Sequence, residues 1–211
     1  MTPEAIETCF TTPDGYRFAR WSRPIVPVIF GIEGDSLAVV KAAIEATVFA
    51  SGHKMAETDP ELGANLMVFF LRDWDDLSAL DNLDAIIPDL GPLLARLKSQ
   101  RALNYRTFRF DDGGGIRAAF VFLRMSGALA EQPAADLGLE QATKVMLSWS
   151  PQAFSETSVL AIPAGGGDAI LRPDIVSLLR AAYDPVMPDA ANDPSHAMRL
   201  AARISVGTSE A

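Results

Sequence analysis

The sequence predicts a single α+β domain: a twisted mixed sheet with a β-hairpin, packed helices and a helical C-terminal part. Three observations carry this prediction. Two short runs, IVPVIFG at 25–31 and NLMVFFL at 65–71, are apolar enough to be strands. The segment between them repeats its apolar residues at helical spacing. Further on, two strand-like stretches flank Asp111-Asp112-Gly113-Gly114-Gly115, where glycine supplies the positive φ of a hairpin loop.

In chain order, residues 1–15 read as a loosely held, flexible N-terminal arm ending in the turn Pro13-Asp14-Gly15. Strands follow at 16–20 and 25–31, and Pro24 and Pro27 place the second at an edge or strand start. Beyond Gly34, Asp35 and Ser36 offer side-chain oxygens to the free N–H groups of a first helical turn. Leu37, Val40, Ile44, Thr47 and Val48 then share one face, and Gly52 is placed to end the helix. After a polar loop at 53–63, the 65–71 run is too continuously apolar for an edge and is expected at the sheet centre. The acidic stretch 73–89 has short helical periodicity broken at Pro88. A helix over 92–100 has Pro92 in its first turn and Arg96 and Lys98 at its negative end. The hairpin strands span 103–110 and 116–124, and an amphipathic helix begins near Asp136. A loop rich in Ser, Pro and Gly at 148–168 precedes two last helices, 172–183 and 192–204, separated by Asp184-Pro185 and Pro188. The domain is therefore expected over 16–205, with a C-terminal tail at 206–211 and no internal repeat.

Composition narrows the partners. With 27 acids against 18 bases the net charge is −9, and the arginines are spread rather than clustered. Such a chain is not expected to bind nucleic acid or an anionic membrane surface. No apolar run is long enough to span a bilayer. The acidic N-terminus lacks the charged and apolar regions of a signal peptide, and Cys9 is the only cysteine. A cytoplasmic location is expected. A protein partner or a homo-oligomer stays open, with Trp21, Trp74 or Trp149 as anchors if exposed.

Several motifs can be weighed on chemistry alone. The glycine loops at 111–115 and 163–168 lack both the Gly-Lys-Ser/Thr of a P-loop and the G-x-G-x-x-G of a dinucleotide loop, so they read as turns. In DWDDLSALDNLD, Asp73, Asp75, Asp81 and Asp84 fall where a calcium loop has acids. Leu77 replaces a further ligand and Ser78 the sharp-turn glycine, so solvated helix faces are the better reading. His53, His196 and Cys9 show no zinc spacing, and neither histidine adjoins a nucleophile signature. No metal or cofactor is expected. His53 follows a helix end that favours a partly cationic imidazole, and His196 lies near a helix start with Asp193 or Ser195 as cap. In LGLEQATKVMLS at 137–148, Glu140 and Lys144 form an i,i+4 pair in the favourable order, worth ~0.3 kcal/mol when exposed. Leu139, Ala142 and Met146 lie on another face.

Four segments, in order, carry a resemblance: RWSRPIVPVIFG at 20–31, GANLMVFFL at 63–71, Glu140 on the helix after the hairpin, and LRPDIVSLLRAAYDPVMP at 171–188. Together they resemble a bacterial family of unknown function with a zincin-like, degenerate metallopeptidase fold, over residues 20 to about 204. The resemblance implies that the 137–148 helix stands where a zinc peptidase carries two histidines flanking a catalytic glutamate. Leu139 and Thr143 occupy the histidine places, and neither replaces an imidazole that holds a Lewis-acidic metal. The family's glutamine after the glutamate has no clear match, since Thr143 or Lys144 occupies that area, and its Asn- and Asp-containing loop is replaced by SPQAFS at 150–155. The expected function is thus a non-catalytic, zincin-like binding or structural domain. The alternative is a metal-independent hydrolase, with Glu140 as a general base of raised pKa and a hairpin arginine binding an anionic group. The candidate binding residues are Glu140, Thr143, Arg106, Arg109 and Tyr183, and Glu140 is the one catalytic candidate.

Overall fold

The computed structural model describes residues 1–79, 83 and 87–209. Its chain start differs from the loose arm expected at 1–15. The Thr2 hydroxyl accepts the Ala5 N–H at 3.3 Å and opens helix α1 (Pro3–Thr8). Ile6 and Phe10, four residues apart, are fully buried, so this segment joins the core. Pro13-Asp14-Gly15 does turn, joining strands β1 (Thr11–Thr12) and β2 (Gly15–Tyr16), and β3 (Phe18–Ala19) follows.

The main sheet begins at β4 (Pro27–Phe30), which pairs in parallel with β5 (Leu66–Leu71). Parallel pairing requires a crossover, which α2 (Gly34–Ser51) supplies. Glu33, extended and without a side-chain cap bond, precedes α2, so Asp35 and Ser36 sit inside the first turn instead of capping it. Gly52, at φ 79°, ends the helix as expected. Gly31 is needed where the chain leaves β4. Its φ is +85°, and a Cβ there would lie 2.0 Å from the Phe70 carbonyl oxygen.

The hairpin strands are β6 (Asn104–Phe110) and β7 (Ile116–Arg124). The sheet order is β4-β5-β7-β6, with β4, β5 and β7 parallel and β6 an antiparallel edge. The 65–71 run is central, as its apolar continuity requires. Period-two alternation then divides two cores. Leu66, Val68, Phe70, Ala119, Val121 and Leu123 face the larger one, with α2 and the C-terminal helices. Phe69, Leu71, Phe120 and Phe122 face a smaller one, beneath a 3-10 turn (Trp74–Ala79) and helix α3 (Leu90–Ser99). On that side Phe30, Phe69, Phe122 and Tyr105 form a row across all four strands, with successive ring centroids 4.8, 5.0 and 6.2 Å apart. Asp75 pairs with Lys98, and Asp73 lies 3.9 Å from Arg124. Asp81 and Asp84 lie outside the described residues.

The C-terminal part runs through α4 (Ala128–Glu131), α5 (Ala134–Met146), the strands β8 (Leu160–Ala161) and β9 (Ile170–Leu171), α6 (Pro173–Ala182), β10 (Ala190–Ala191) and α7 (Ser195–Ser209). Helix α5 starts two residues before Asp136, and the 163–168 glycines turn a small hairpin inside the expected loop. The tail expected from 206 is helical to Ser209. Trp21 and Trp74 are fully buried and Trp149 partly so, which removes them as surface anchors. Among the described residues no helix is long and apolar enough to cross a membrane.

Candidate functional site

The candidate site is built on α5, and Gly138 sets its depth. A Cβ there would stand 2.8 Å from the Ala43 Cβ and 3.3 Å from the Val40 Cα, so glycine lets α5 cross α2 closely. The void left between the two helices and the sheet is about 10 Å³, room for no more than roughly one water. Leu137, Ala142, Val145 and Met146 bury the inner face.

Helices leave their last carbonyls without intrahelical partners. In α5 these are met by aromatic side chains from far along the chain. The Trp149 indole N–H donates to Thr143 O at 3.0 Å, and that of Trp21 to Val145 O at 2.8 Å. The Tyr183 hydroxyl donates to Met146 O at 2.6 Å and accepts the Trp21 N–H at 3.3 Å. Tyr183 therefore has both hydrogen-bonding functions engaged within the core. Burial pushes its phenol pKa well above the ordinary value, so the group stays neutral.

Thr143 is fully buried, and its hydroxyl donates to Leu139 O at 2.8 Å. Glu140 lies on the outer side of the helix, ion-paired with Lys144, each side chain 21% exposed. Gln132 donates an amide hydrogen to the other carboxylate oxygen at 3.1 Å. Burial pushes the Glu140 pKa up, but hydrogen bonds from Lys144 and Gln132 and the charges of Lys144 and Arg106 outweigh it. The carboxyl is held below its ordinary value. This reverses the raised pKa that a Glu140 general base requires, because the partners stabilise the ionised form.

Arg106 and Arg109 part company. Arg106 reaches the α5 side, where its Nη2 donates to Gln141 Oε1 at 2.9 Å. Burial pulls its guanidinium down to about 10, against the opposing pull of Glu140. Arg109, three residues on, lies on the opposite face with Thr107, Leu93 and Arg96 beside α3. Of the five candidates, Glu140, Thr143 and Arg106 thus gather around α5. Tyr183 ties down the end of that helix, and Arg109 is separate.

Both histidines have polar and ring contacts within the fold. His53 contacts the Arg23 carbonyl at 2.9 Å through Nε2 and packs on the Tyr183 ring. Burial lowers its pKa, which favours the neutral ring over the partly cationic one expected beyond the helix end. His196 is buried, with Nδ1 2.9 Å from the Tyr16 hydroxyl and its ring against Phe18. Asp193 rather than Ser195 serves as cap, its carboxylate accepting the Ser195 N–H at 2.8 Å. Among the described residues no three His, Cys, Asp or Glu side chains converge where a metal ion could be held. Within the 111–115 loop, Asp111 accepts the Gly113 and Gly115 N–H groups at 2.9 Å each, which closes it as a turn.

Sequence reasoning missed Gln141, Gln132 and the two tryptophan caps. Gln141 reads as an ordinary helical polar residue, and nothing in its spacing points to a strand 35 residues earlier. Comparisons with protein-family models, curated proteins and solved structures find no match for this chain.

Proposed function

We propose that the chain is a non-catalytic, zincin-like domain that works by binding or as a scaffold. The observation that carries the reading is the pair Leu139 and Thr143 flanking Glu140 on the helix after the hairpin. Thr143, in one histidine place, is sealed in the core with its hydroxyl spent on Leu139 O and its carbonyl on Trp149. Glu140 is an ionised carboxylate already held by Lys144 and Gln132. Further support comes from the sheet, three parallel strands closed by an antiparallel edge strand, with the post-hairpin helix packed on the crossover helix α2.

Metal analysis of the purified protein tests the reading. Zinc well below stoichiometric amounts is the expected result. Stoichiometric zinc that is lost on Glu140→Ala would overturn it.

A further inference from the structure

Helix α2 carries apolar residues on its outer side as well as its inner one. Val40, Ala43 and Ile44 are buried against the sheet and α5. On the opposite side Val39, Ala42, Ala46 and Phe49 are exposed. Phe49, at 86%, is the most exposed large apolar side chain among the described residues. The helix that covers a sheet in a stand-alone domain presents polar residues on this side. Here the spacing of three, four and three residues is that of the apolar seam by which one helix packs along another. Beside the seam, Lys41 and Glu45 are exposed and have no ion-pair partner among the described residues.

We propose that the outer face of α2 is a homodimer surface, on which α2 of a second copy lies antiparallel about a two-fold axis at the level of Ile44. The order of the seam selects this partner, because it reads the same from both ends. Ala42 and Ala46 stand two residues either side of Ile44, and Val39 and Phe49 five. Antiparallel pairing therefore sets Ala42 against Ala46 of the partner subunit and Val39 against Phe49 of the partner subunit. The alanines let the helices approach at the axis, and the larger side chains close the two ends. Charge selects the direction. Lys41 and Glu45 of the partner subunit fall on the same side of the pair, ~3 Å apart along the axis at the α-helical rise. A parallel pair would set Lys41 against Lys41 and Glu45 against Glu45, like charges that oppose it. Because the seam points away from the sheet, the two copies lie on opposite sides of the helix pair. The surface rests on none of the α5 features behind the zincin-like reading, so metal analysis and the oligomer measurement fail separately.

Sedimentation velocity of the full chain, from about 1 to 500 µM, tests the proposal. A reversible monomer–dimer equilibrium is expected. Phe49→Asp changes an exposed side chain, so it is expected to keep the melting temperature of the dilute parent while weakening the dimer at least about tenfold. Lys41→Glu and Glu45→Lys each place like charges across the pair and are expected to weaken it about threefold or more. The double exchange, Lys41→Glu with Glu45→Lys, restores the complementarity and is expected to return the dimer to parental strength. Direction is read by cross-linking. An equimolar mixture of Ala42→Cys and Ala46→Cys variants is expected to form a disulfide faster than either variant alone. The proposal is overturned by a monomer at every concentration, which leaves the seam to a different partner. It is equally overturned by a dimer that survives Phe49→Asp, by a double exchange that fails to restore the dimer, or by each cysteine variant linking to itself faster than to the other.

Discussion

Acidification is expected to weaken this fold through its two histidines, His196 above all, before the carboxylates contribute. Burial, with the charges of Arg199 and Arg20, pulls the His196 imidazole from 6.5 down to about 4. The unfolded chain therefore takes up the proton first. Above about pH 6.5 the ring is neutral in both states and exerts no pull on the equilibrium. As the pH falls from 6.5 towards 4, stability is lost, and the full loss amounts to about 3 kcal/mol. The perturbation is His196→Phe, which keeps a ring against Phe18 but removes the titration and the partner of the Tyr16 hydroxyl. At pH 7 an unpartnered buried hydroxyl costs about 1–2 kcal/mol, so the variant is the weaker protein. Its penalty does not depend on pH, whereas the parent loses stability steadily on acidification. The two stabilities are expected to cross at about pH 5–5.5. Urea unfolding of both proteins at half-unit steps from pH 7 to 4.5 measures this. Groups such as Asp59 and Asp184, whose pKa values are lowered by their hydrogen bonds, lose their contributions at still lower pH and cancel in the difference. A parent-minus-variant difference that stays constant across the range would refute the reasoning.

Two other perturbations probe the helix that carries the candidate site. Trp21→Phe strips the donor from Val145 O inside the core and is expected to lower stability by about 1–3 kcal/mol in urea unfolding; an unchanged midpoint would mean that the carbonyl finds another donor. Gly138→Ala gains about 1 kcal/mol of helix propensity but drives a methyl into Ala43, at an expected cost of about 1–3 kcal/mol. A lower melting temperature is expected, and a higher one would show that α2 and α5 can separate without loss.

How much of this could be read beforehand varies with the range of the interaction involved. The run at 65–71 is a central strand because its own apolar content demands burial on both faces, the run at 25–31 is the edge strand that Pro24 and Pro27 allow, with Val28 and Phe30 exposed, and the glycine-rich loop at 111–115 can only turn. Gly52 ends α2 through its own backbone freedom, a strictly local property. The two-residue strands β3 and β10 are different, since neither has any pattern of its own and each exists because the other lies beside it. The separation of Arg106 from Arg109 was in fact legible. Three residues along a strand is an odd step, and a period of two puts the pair on opposite faces. The pairing of Arg106 with Gln141 was not, because it depends on how deeply α5 sinks onto the sheet, which Gly138 sets through contact with α2. The packing of α1 was missed for a related reason: Ile6 and Phe10 look like two stray apolar residues until Trp149 stacks on Phe10 at 5.3 Å.

The aromatic caps on α5 have a consequence for how the molecule opens. Most helices fray from their ends at little expense, because water replaces the terminal contacts. Here the last turn is held by residues 21, 149 and 183, so it cannot loosen without dislodging the N-terminal strands and the end of α6 as well. Amide exchange in that turn therefore proceeds only with cooperative opening of the larger core, and its protection should approach that of β5 at the sheet centre. The helix end that fluctuates most in an isolated peptide becomes one of the slowest-exchanging parts of the chain.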